Sequence, residues 1–327
     1  VELTEALRQA IAQAAEQPGV SPADLTLAMQ RLSERYRTDA VGPGPAVATP
    51  AMLLAYVVGR MPATWAALVA AMQAGAQSQA AAARPETLLD VGGGPGTALW
   101  AADRVWPDLT RMTVVERDPR MAAMGRRLAA ASPTRAVREA TWLNVPVLGE
   151  WPAGPYDVVV LSYVLSELPP GDLPAVLDRL WRATGQMLVL VEPGTPPASG
   201  GVERFRQAWI ERGGFTLAPC PHNHACPLAG PDWCHFSVRV ARSAMHRRLK
   251  GGTAPYEDEK FSYAVLSKSP GHPVPARIIR HPWIQPGHIG LTLCTPDGIV
   301  AEGVRRSAKA TFTKARKAGW GSSWPPA

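Results

Sequence analysis

Cysteine is nearly missing from this chain of 327 residues: there are four, and none falls in the first 219 positions. So sparse a set excludes a disulfide-stapled scaffold. Lysine is scarce as well, 6 against 28 arginines, a bias that points to a GC-rich genome and says little about chemistry. Charged residues reach only 19%, but apolar ones make up 46%, so a sizeable core is available and global disorder is excluded. The 29 glycines and 33 prolines follow no period, which removes collagen-like and low-complexity classes. A long apolar run is also lacking. The uncharged stretch Ala63–Ala83 is broken by Gln73, Gln77 and Gln79. It reads as a helix running into a linker, not as the ~20-residue span a bilayer demands, and no membrane partner is expected. Glu2, Glu5 and Glu16 near the start fit neither a secretory signal nor an acid-poor transit peptide. The expected location is a reducing bacterial cytoplasm, or the mitochondrial matrix if a leader has been removed.

The formal net charge of +7 is modest but unevenly placed. From Phe236 onward there are 15 basic and 5 acidic residues, whereas the preceding residues carry 19 and 22. A polyanion is therefore drawn first to the C-terminal quarter.

At roughly 100–200 residues per domain, the length allows two domains or one with additions. The patterns divide the chain into a helical region over 1–83, a sheet domain over 84–258 and a β-rich basic extension over 259–327. In the first, Asp24 is placed to cap a helix whose Leu25, Met29, Leu32 and Tyr36 share a face. A loop over 43–50, a helical run through Met52–Val58, a helix opened by Pro62 and a linker over 75–85 follow. From Thr87 strands and helices alternate: strands at Thr87–Val91, Met112–Glu116, Tyr156–Ser162 and Met187–Val191, helices near Thr97–Val105, Pro119–Ala131, Leu173–Ala183 and Gly201–Arg212. A weaker strand is expected over 136–143. This alternation predicts an α/β fold with a doubly wound parallel sheet. After Phe215 it stops. A Cys/His/Pro loop spans Cys220–Cys234, three strands follow at Phe261–Ser267, Ile289–Cys294 and Ile299–Val304, and Thr295–Gly298 reads as a hairpin turn.

The first strand of the alternation runs into Asp90–Gly96, where Gly92, Gly94 and Gly96 are spaced G-x-G-x-G. Without side chains the backbone can approach a nucleotide-like ligand at the carboxyl end of the strand. The dinucleotide fingerprint fails, because Thr97 and Leu99 occupy the positions where its last glycine belongs. S-adenosylmethionine (SAM) has an ammonium group and a ribose instead of a pyrophosphate. Asp90 suits the ammonium, and Glu116, at the end of the next strand, suits the ribose hydroxyls as a two-acceptor carboxylate. In this order the residues resemble the first two motifs of class I SAM-dependent methyltransferases, with their Rossmann-like sheet. A tight strand–helix turn without ligand is the plainer alternative, and Asp118 reads as a helix cap.

The catalytic signature is not legible. Where amino-methylating enzymes of nucleic acids carry (Asp/Asn)-Pro-Pro-aromatic, residues 161–168 read LSYVLSEL. No cysteine precedes 220 and no lysine precedes 250, so nucleophilic and lysine-based schemes have no candidate there. Glu167 is an acid available as a base, and equally a solvated helix-face acid.

All four cysteines lie in the last third: Cys220, Cys226, Cys234 and Cys294. Three thiols within 15 positions after 219 without one are hard to explain as core filling. Thiolates are soft ligands for zinc or an iron–sulfur cluster, and the spacings match neither a zinc knuckle nor a ferredoxin run. His222, His224 and His235 are substitute ligands or neighbours.

Together these segments resemble the methyltransferase-like mitochondrial small-ribosomal-subunit assembly proteins and their bacterial relatives. The resemblance is carried by Tyr56 with Arg60–Trp65, Asp90–Gly96, Cys220–Phe236, Lys260–Tyr263, Leu293–Gly298 and Lys314–Trp320. It implies a methyltransferase fold that binds the small ribosomal subunit and its rRNA and supports assembly or translation. It also implies a [4Fe-4S] cluster on Cys220, Cys226, Cys234 and Cys294, zinc being the alternative, which would pin the extension to the sheet domain. Some members are suspected of having lost catalysis.

The basic tail fits such a partner. Arg305, Arg306, Lys309, Lys314, Arg316 and Lys317 fall within 13 positions, followed by Trp320 and Trp324. Cations screen phosphates and indoles stack on unpaired bases; a solvated, frayed terminus is the bland alternative. On a helix, Arg306, Lys309, Thr313 and Lys317 share a face. The expected function is a SAM-binding, methyltransferase-like protein of the small subunit, as an rRNA methyltransferase or as a non-catalytic assembly factor with a vestigial SAM site. A small-molecule methyltransferase is the remaining alternative, and DNA is not an expected partner.

Overall fold

A computed structural model describes residues 2–16, 19–37, 47–78, 84–152, 154–228, 231–250 and 252–325. Helices α1 (Glu5–Ala15) and α2 (Pro22–Arg37) come first. Ser21, not Asp24, stands at the head of α2. Its Oγ accepts the N–H of Asp24 at 3.1 Å and donates to the Asp24 carboxylate at 2.7 Å, a reciprocal cap that leaves Asp24 in the first turn. Leu25, Met29 and Leu32 are buried as their spacing predicts; the side chain of Tyr36 and most of the 43–50 loop lie outside the described residues.

The two helices expected on either side of Pro62 are one rod. Helix α3 (Pro50–Ala55), a π-helical turn (Tyr56–Arg60) and α4 (Met61–Ser78) run on without a break. A proline inside a helix lacks its N–H and crowds the carbonyl one turn back. The wider π turn, where the Met61 N–H reaches the Tyr56 carbonyl, absorbs that misfit just before Pro62. Gly75 does not open a linker: it lies within α4, and a Cβ there would stand 2.6 Å from Val265 Cγ1. The rest of the expected linker, 79–83, is outside the described residues. The rod is long and apolar enough to cross a membrane, but 78% of its most apolar window is buried inside the protein.

The alternating region follows as β1 (Thr87–Val91), α5 (Thr97–Val105), β2 (Arg111–Val115), α6 (Pro119–Ala130), α7 (Arg135–Arg138) and β3 (Thr141–Leu143). Then come β4 (Tyr156–Ser162), α8 (Leu173–Ala183), β5 (Thr184–Pro193), α9 (Pro196–Glu211), β6 (Phe215–Ala218), β7 (Phe236–Ala241), α10 (Ala244–Lys250) and β8 (Tyr256–Ser267). The weak strand expected over 136–143 is split, since its first half coils into α7 and only Thr141–Leu143 pairs with β2.

Strand order is β3-β2-β1-β4-β5-β8-β6, with β7 also on β8. The first five are parallel, as the alternation predicts. The other three are antiparallel additions to one edge, so the sheet is mixed. Each inner strand is buried on both faces, which is why it reads as a continuous apolar run. Leu88, Val158, Val160 and Val189 meet the N-terminal helices, α5 and α6. Leu89, Val159, Leu161 and Leu190 meet α8 and α9. The order reverses between β1 and β4, and the crevice at their carboxyl ends is the place for a ligand.

A second, antiparallel sheet holds β9 (Ala276–Ile278), β10 (Trp283–Gln285), β11 (His288–Thr295), β12 (Gly298–Arg305) and β13 (Ser323–Trp324), with α11 (Lys309–Lys317) before the last strand. The hairpin at 295–298 is as the sequence predicts. The division drawn between 258 and 259 falls inside β8, which belongs to the first sheet. Ile278, Ile289, Leu291, Leu293, Ala315 and Trp324 form the small core of the extension.

Candidate functional site

The glycine loop leaves β1 at the switch point. Gly92 and Gly93 donate to the Val115 carbonyl at 2.8 and 3.1 Å, tying the loop to β2. Gly92, Gly94 and Gly96 have φ of +71°, +54° and +76°, a region that side chains with a Cβ rarely enter. The outer side of Gly94 is open, with nothing within 4 Å of a virtual Cβ, as close approach by a ligand requires. Gly93, absent from the spaced triplet, is the tightest position. A Cβ there would meet Val114 Cγ1 at 2.6 Å and Asp90 Oδ2 closer still. Gly93→Ala is expected to lower stability by about 1–3 kcal/mol through overpacking, read as a lower urea midpoint at unchanged slope.

Asp90 is 0% exposed and neither carboxylate oxygen has a hydrogen-bond partner. Burial, aided by the neighbouring Glu116, pushes its pKa up to about 8. A buried, orphaned acid is an unmet demand for a donor or a cation. Glu116 is already engaged: its two oxygens accept the N–H groups of Gly94 at 2.8 Å and Asp118 at 2.7 Å. It clasps the loop from β2, and burial raises its pKa against those two bonds. Each oxygen keeps a second lone pair, so the clasp and the expected ribose contact are compatible. Asp118 caps α6 by accepting the Arg120 N–H.

The segment after β4, unremarkable as sequence, lies against this loop: a Cβ on Gly92 would stand 2.5 Å from Val164 Cγ2. It is held by a residue the sequence reading missed. Glu192, fully buried at the end of β5, accepts the N–H groups of Val164, Leu165 and Ser166 at 2.9, 2.8 and 3.3 Å. Burial outweighs those bonds and lifts its pKa to about 7. Tyr163, at φ +56°, is strained, at a typical cost of about 1–3 kcal/mol. Its hydroxyl donates to Glu259 at 2.9 Å. Arg60 grips the same carboxylate at 2.9 and 2.6 Å and lies 4.8 Å from the centre of the Tyr163 ring. Arg60, Tyr163 and Glu259 thus lock the N-terminal rod, β4 and β8 together. Glu167 is in a short 3-10 turn of this segment.

The cysteine loop joins β6 to β7. Buried Arg206 organises it from α9, donating to Thr216 Oγ1 at 3.0 Å and to the carbonyls of His222 and His224 at 2.7 and 3.0 Å. Ser199 and Ser262 both donate to the Cys234 carbonyl at 2.8 Å. Cys220, Cys226 and Cys234 line one cavity of about 80 Å³. Cys294, on β11, is not in that lining; its Sγ lies 3.7 Å from His222 Nε2. All four are free thiols. Among the described residues no three His, Cys, Asp or Glu side chains are gathered closely enough to hold a metal ion. The thiols nonetheless feel one another. Burial and then the other three raise the Cys234 pKa far above the usual range, and burial with Cys220 and Cys226 pushes Cys294 up to about 12. These shifts keep the sulfurs protonated at neutral pH, so a soft cation, for which sulfur is the suited donor, would have to displace those protons to bind.

Direct polar contacts join the sheet domain to the extension. Arg277, on β9, donates to the Pro219 carbonyl at 3.1 Å across the junction, and to the Gly321 carbonyl at 3.0 Å within the extension. Arg280 pairs with Asp232.

Arg305, Arg306, Lys309, Lys314, Arg316 and Lys317 are all exposed. Helix α11 begins at Lys309, so Arg306 lies in the preceding 3-10 turn rather than on the expected helical face. Trp324 is not available for base stacking, being 3% exposed with Nε1 bonded to Glu302 at 3.0 Å. The tail is no frayed terminus: β13 pairs with β9, and deleting it would open the small core.

Residues 50–325 match the family described as mitochondrial small ribosomal subunit Rsm22. The chain is 31% identical over 301 residues to the human "Ribosome assembly protein METTL17, mitochondrial", covering 85% of this chain and 63% of that one. It is 24% identical over 333 residues to the Schizosaccharomyces pombe "Rsm22-cox11 tandem protein 2, mitochondrial", covering 85% and 43%. It thus spans less than two thirds of the length of either relative. Similar solved structures include the magnesium protoporphyrin IX methyltransferase of Synechocystis with bound SAM, at TM-score 0.40 and 13% identity over 77% of this chain and 100% of that one. Another is the N-methyltransferase NodS of Bradyrhizobium japonicum, at TM-score 0.42 and 11% identity over 73% and 97%.

Proposed function

Because the chain belongs to the Rsm22 family of the mitochondrial small ribosomal subunit, we propose that it is a SAM-binding, methyltransferase-like factor that binds small-subunit rRNA during assembly or translation. The observation that carries this reading is the extent of the family match, which takes in the glycine loop, the cysteine loop and the basic extension together. SAM would sit at the switch point, its ammonium near Asp90, its ribose toward Glu116, and its flank against the open side of Gly94. Loss of catalysis fits the acceptor side best. There the segment after β4 is packed on Gly92 and held by Glu192, while Tyr163 is committed to Glu259. The rRNA methyltransferase reading keeps one favourable observation, the intact Asp90 loop. Labelled SAM incubated with immature small subunits separates the two: binding without transfer is expected, and transfer abolished by Asp90→Ala would establish the enzyme.

The four cysteines would hold one architectural centre, a [4Fe-4S] cluster, with zinc as the competing occupant. Both compartments considered, bacterial cytoplasm and mitochondrial matrix, keep thiols reduced; the names of the relatives favour the matrix.

RNA binding through the tail is testable without truncation. Replacing Arg306, Lys309 and Arg316 by alanine is expected to weaken binding to single-stranded rRNA segments and to flatten the log K against log salt plot by about 2 units of slope, at roughly 0.7 per phosphate contact. An unchanged slope would remove these residues from the interface.

A further inference from the structure

A cavity of about 520 Å³ lies between α4, the edge of the first sheet and the extension. That is ample for a small ligand. It is neither the glycine-loop crevice nor the cysteine cavity.

Helix α4 supplies one wall. Nearly all of its residues are buried, yet Gln73 and Gln77 are exposed. With Ala70 and Ala74 they line the cavity, at the i, i+3, i+4, i+7 spacing of one helical face. Two alanines leave room, and two amides offer donors and acceptors one turn apart. The rest of the lining includes aromatic and cationic side chains. Lys314 and Lys317 of α11, Phe236, Trp320 and the buried Arg277 are part of it. Trp320 is held edge-on by His235 and His281, each 4.8 Å away between ring centres. Its indole N–H is buried without a hydrogen-bond partner.

We propose that this cavity binds a single nucleotide. Its phosphate would lie toward Lys314 and Lys317, its base against Trp320, and the base edge toward Gln73 and Gln77. Cations beside an indole in one lining are the pairing that nucleotides select, and amides read base edges in both directions. The proposal stands on this lining alone, not on the ribosomal reading. The nucleotide is either free or an unpaired residue of an RNA strand, and the two share this chemistry.

Isothermal titration of the full chain with AMP and with a five-nucleotide single-stranded RNA distinguishes the sources. Saturable binding of either is expected, at least roughly ten-fold weaker in Lys314→Ala/Lys317→Ala and lost in Ala70→Phe, which fills the cavity. If Ala70→Phe fails to fold, Gln73→Ala/Gln77→Ala, at exposed positions, carries the same test. Asp90→Asn controls for adenosine entering the glycine-loop crevice and is expected to leave this binding unchanged. Binding of AMP supports a free nucleotide, and binding of the oligonucleotide alone supports a strand residue. The proposal is overturned if neither binds up to millimolar concentration. It is equally overturned if binding survives closure of the cavity, or if Asp90→Asn abolishes it.

Discussion

Asp90→Asn should make the ligand-free protein more stable at pH 8, by several kcal/mol, on the order of 5. The carboxyl is fully buried and unpartnered, with a pKa raised to about 8 from an ordinary 3.8. Between those values the folded chain holds a proton that the unfolded chain has already released. Stability from this group is therefore complete below pH ~4 and drains away as pH rises toward 8, at about 1.4 kcal/mol per unit. Asparagine carries no such proton, so the gain over wild type should grow from nothing near pH 4 to its full size at pH 8. Urea titrations across that range measure it. The same change removes the counter-charge for the proposed ammonium, so SAM affinity should fall by roughly ten- to a hundred-fold, the worth of a charged hydrogen bond. A variant more stable at pH 8 yet weaker for SAM identifies Asp90 as a residue kept for a ligand at the expense of the fold. Equal stabilities at pH 8 would mean that the acid has a partner after all.

The second large effect concerns the thiols. Cys294→Ser and Cys234→Ser should each remove the whole inorganic centre from protein purified without oxygen, read as iron, acid-labile sulfide and zinc content. Each should also expose the 220–234 loop to proteolysis and lower stability by several kcal/mol, because metal binding free energy is folding free energy. Cys294 is the informative position. It lies outside the cavity lined by the other three and beside His222. If it is a mere core thiol, serine there costs about 1 kcal/mol or less and metal content stays whole. Full metal retention in Cys294→Ser would exclude it from the centre.

The strands of the first sheet were readable in advance because each is a short apolar run between polar segments, and the alternation implies parallel pairing. Their edge was not. β6, β7 and β8 join through pairings such as Leu190 with Ala264, and nothing local in either segment records its partner. The rod through Pro62 was misread for the opposite reason. Proline is a strong local signal, but a π turn upstream neutralised it. Asp90, the glycines and Glu116 could be chosen from order and spacing. That Glu116 spends both oxygens on the loop, and that Asp90 has no partner, depends on where neighbouring chain passes.

By itself the sequence determined the strand–loop–helix around Asp90, the parallel half of the sheet, the hairpin at 295–298 and the placing of positive charge in the last quarter. All four follow from interactions within a few residues, or from composition. Only the tertiary structure decided that Arg60, Tyr163 and Glu259 would form one knot across 199 positions of chain, that Trp324 would be core, and that Gln73 and Gln77 would face a cavity with Lys314 and Lys317. Only the last of these joins the extension to α4; the knot lies within the first sheet and its helices, and Trp324 within the extension's own core. Burial then sets which polar groups are satisfied and which are left waiting for a ligand, a property of the packed whole that no segment carries alone.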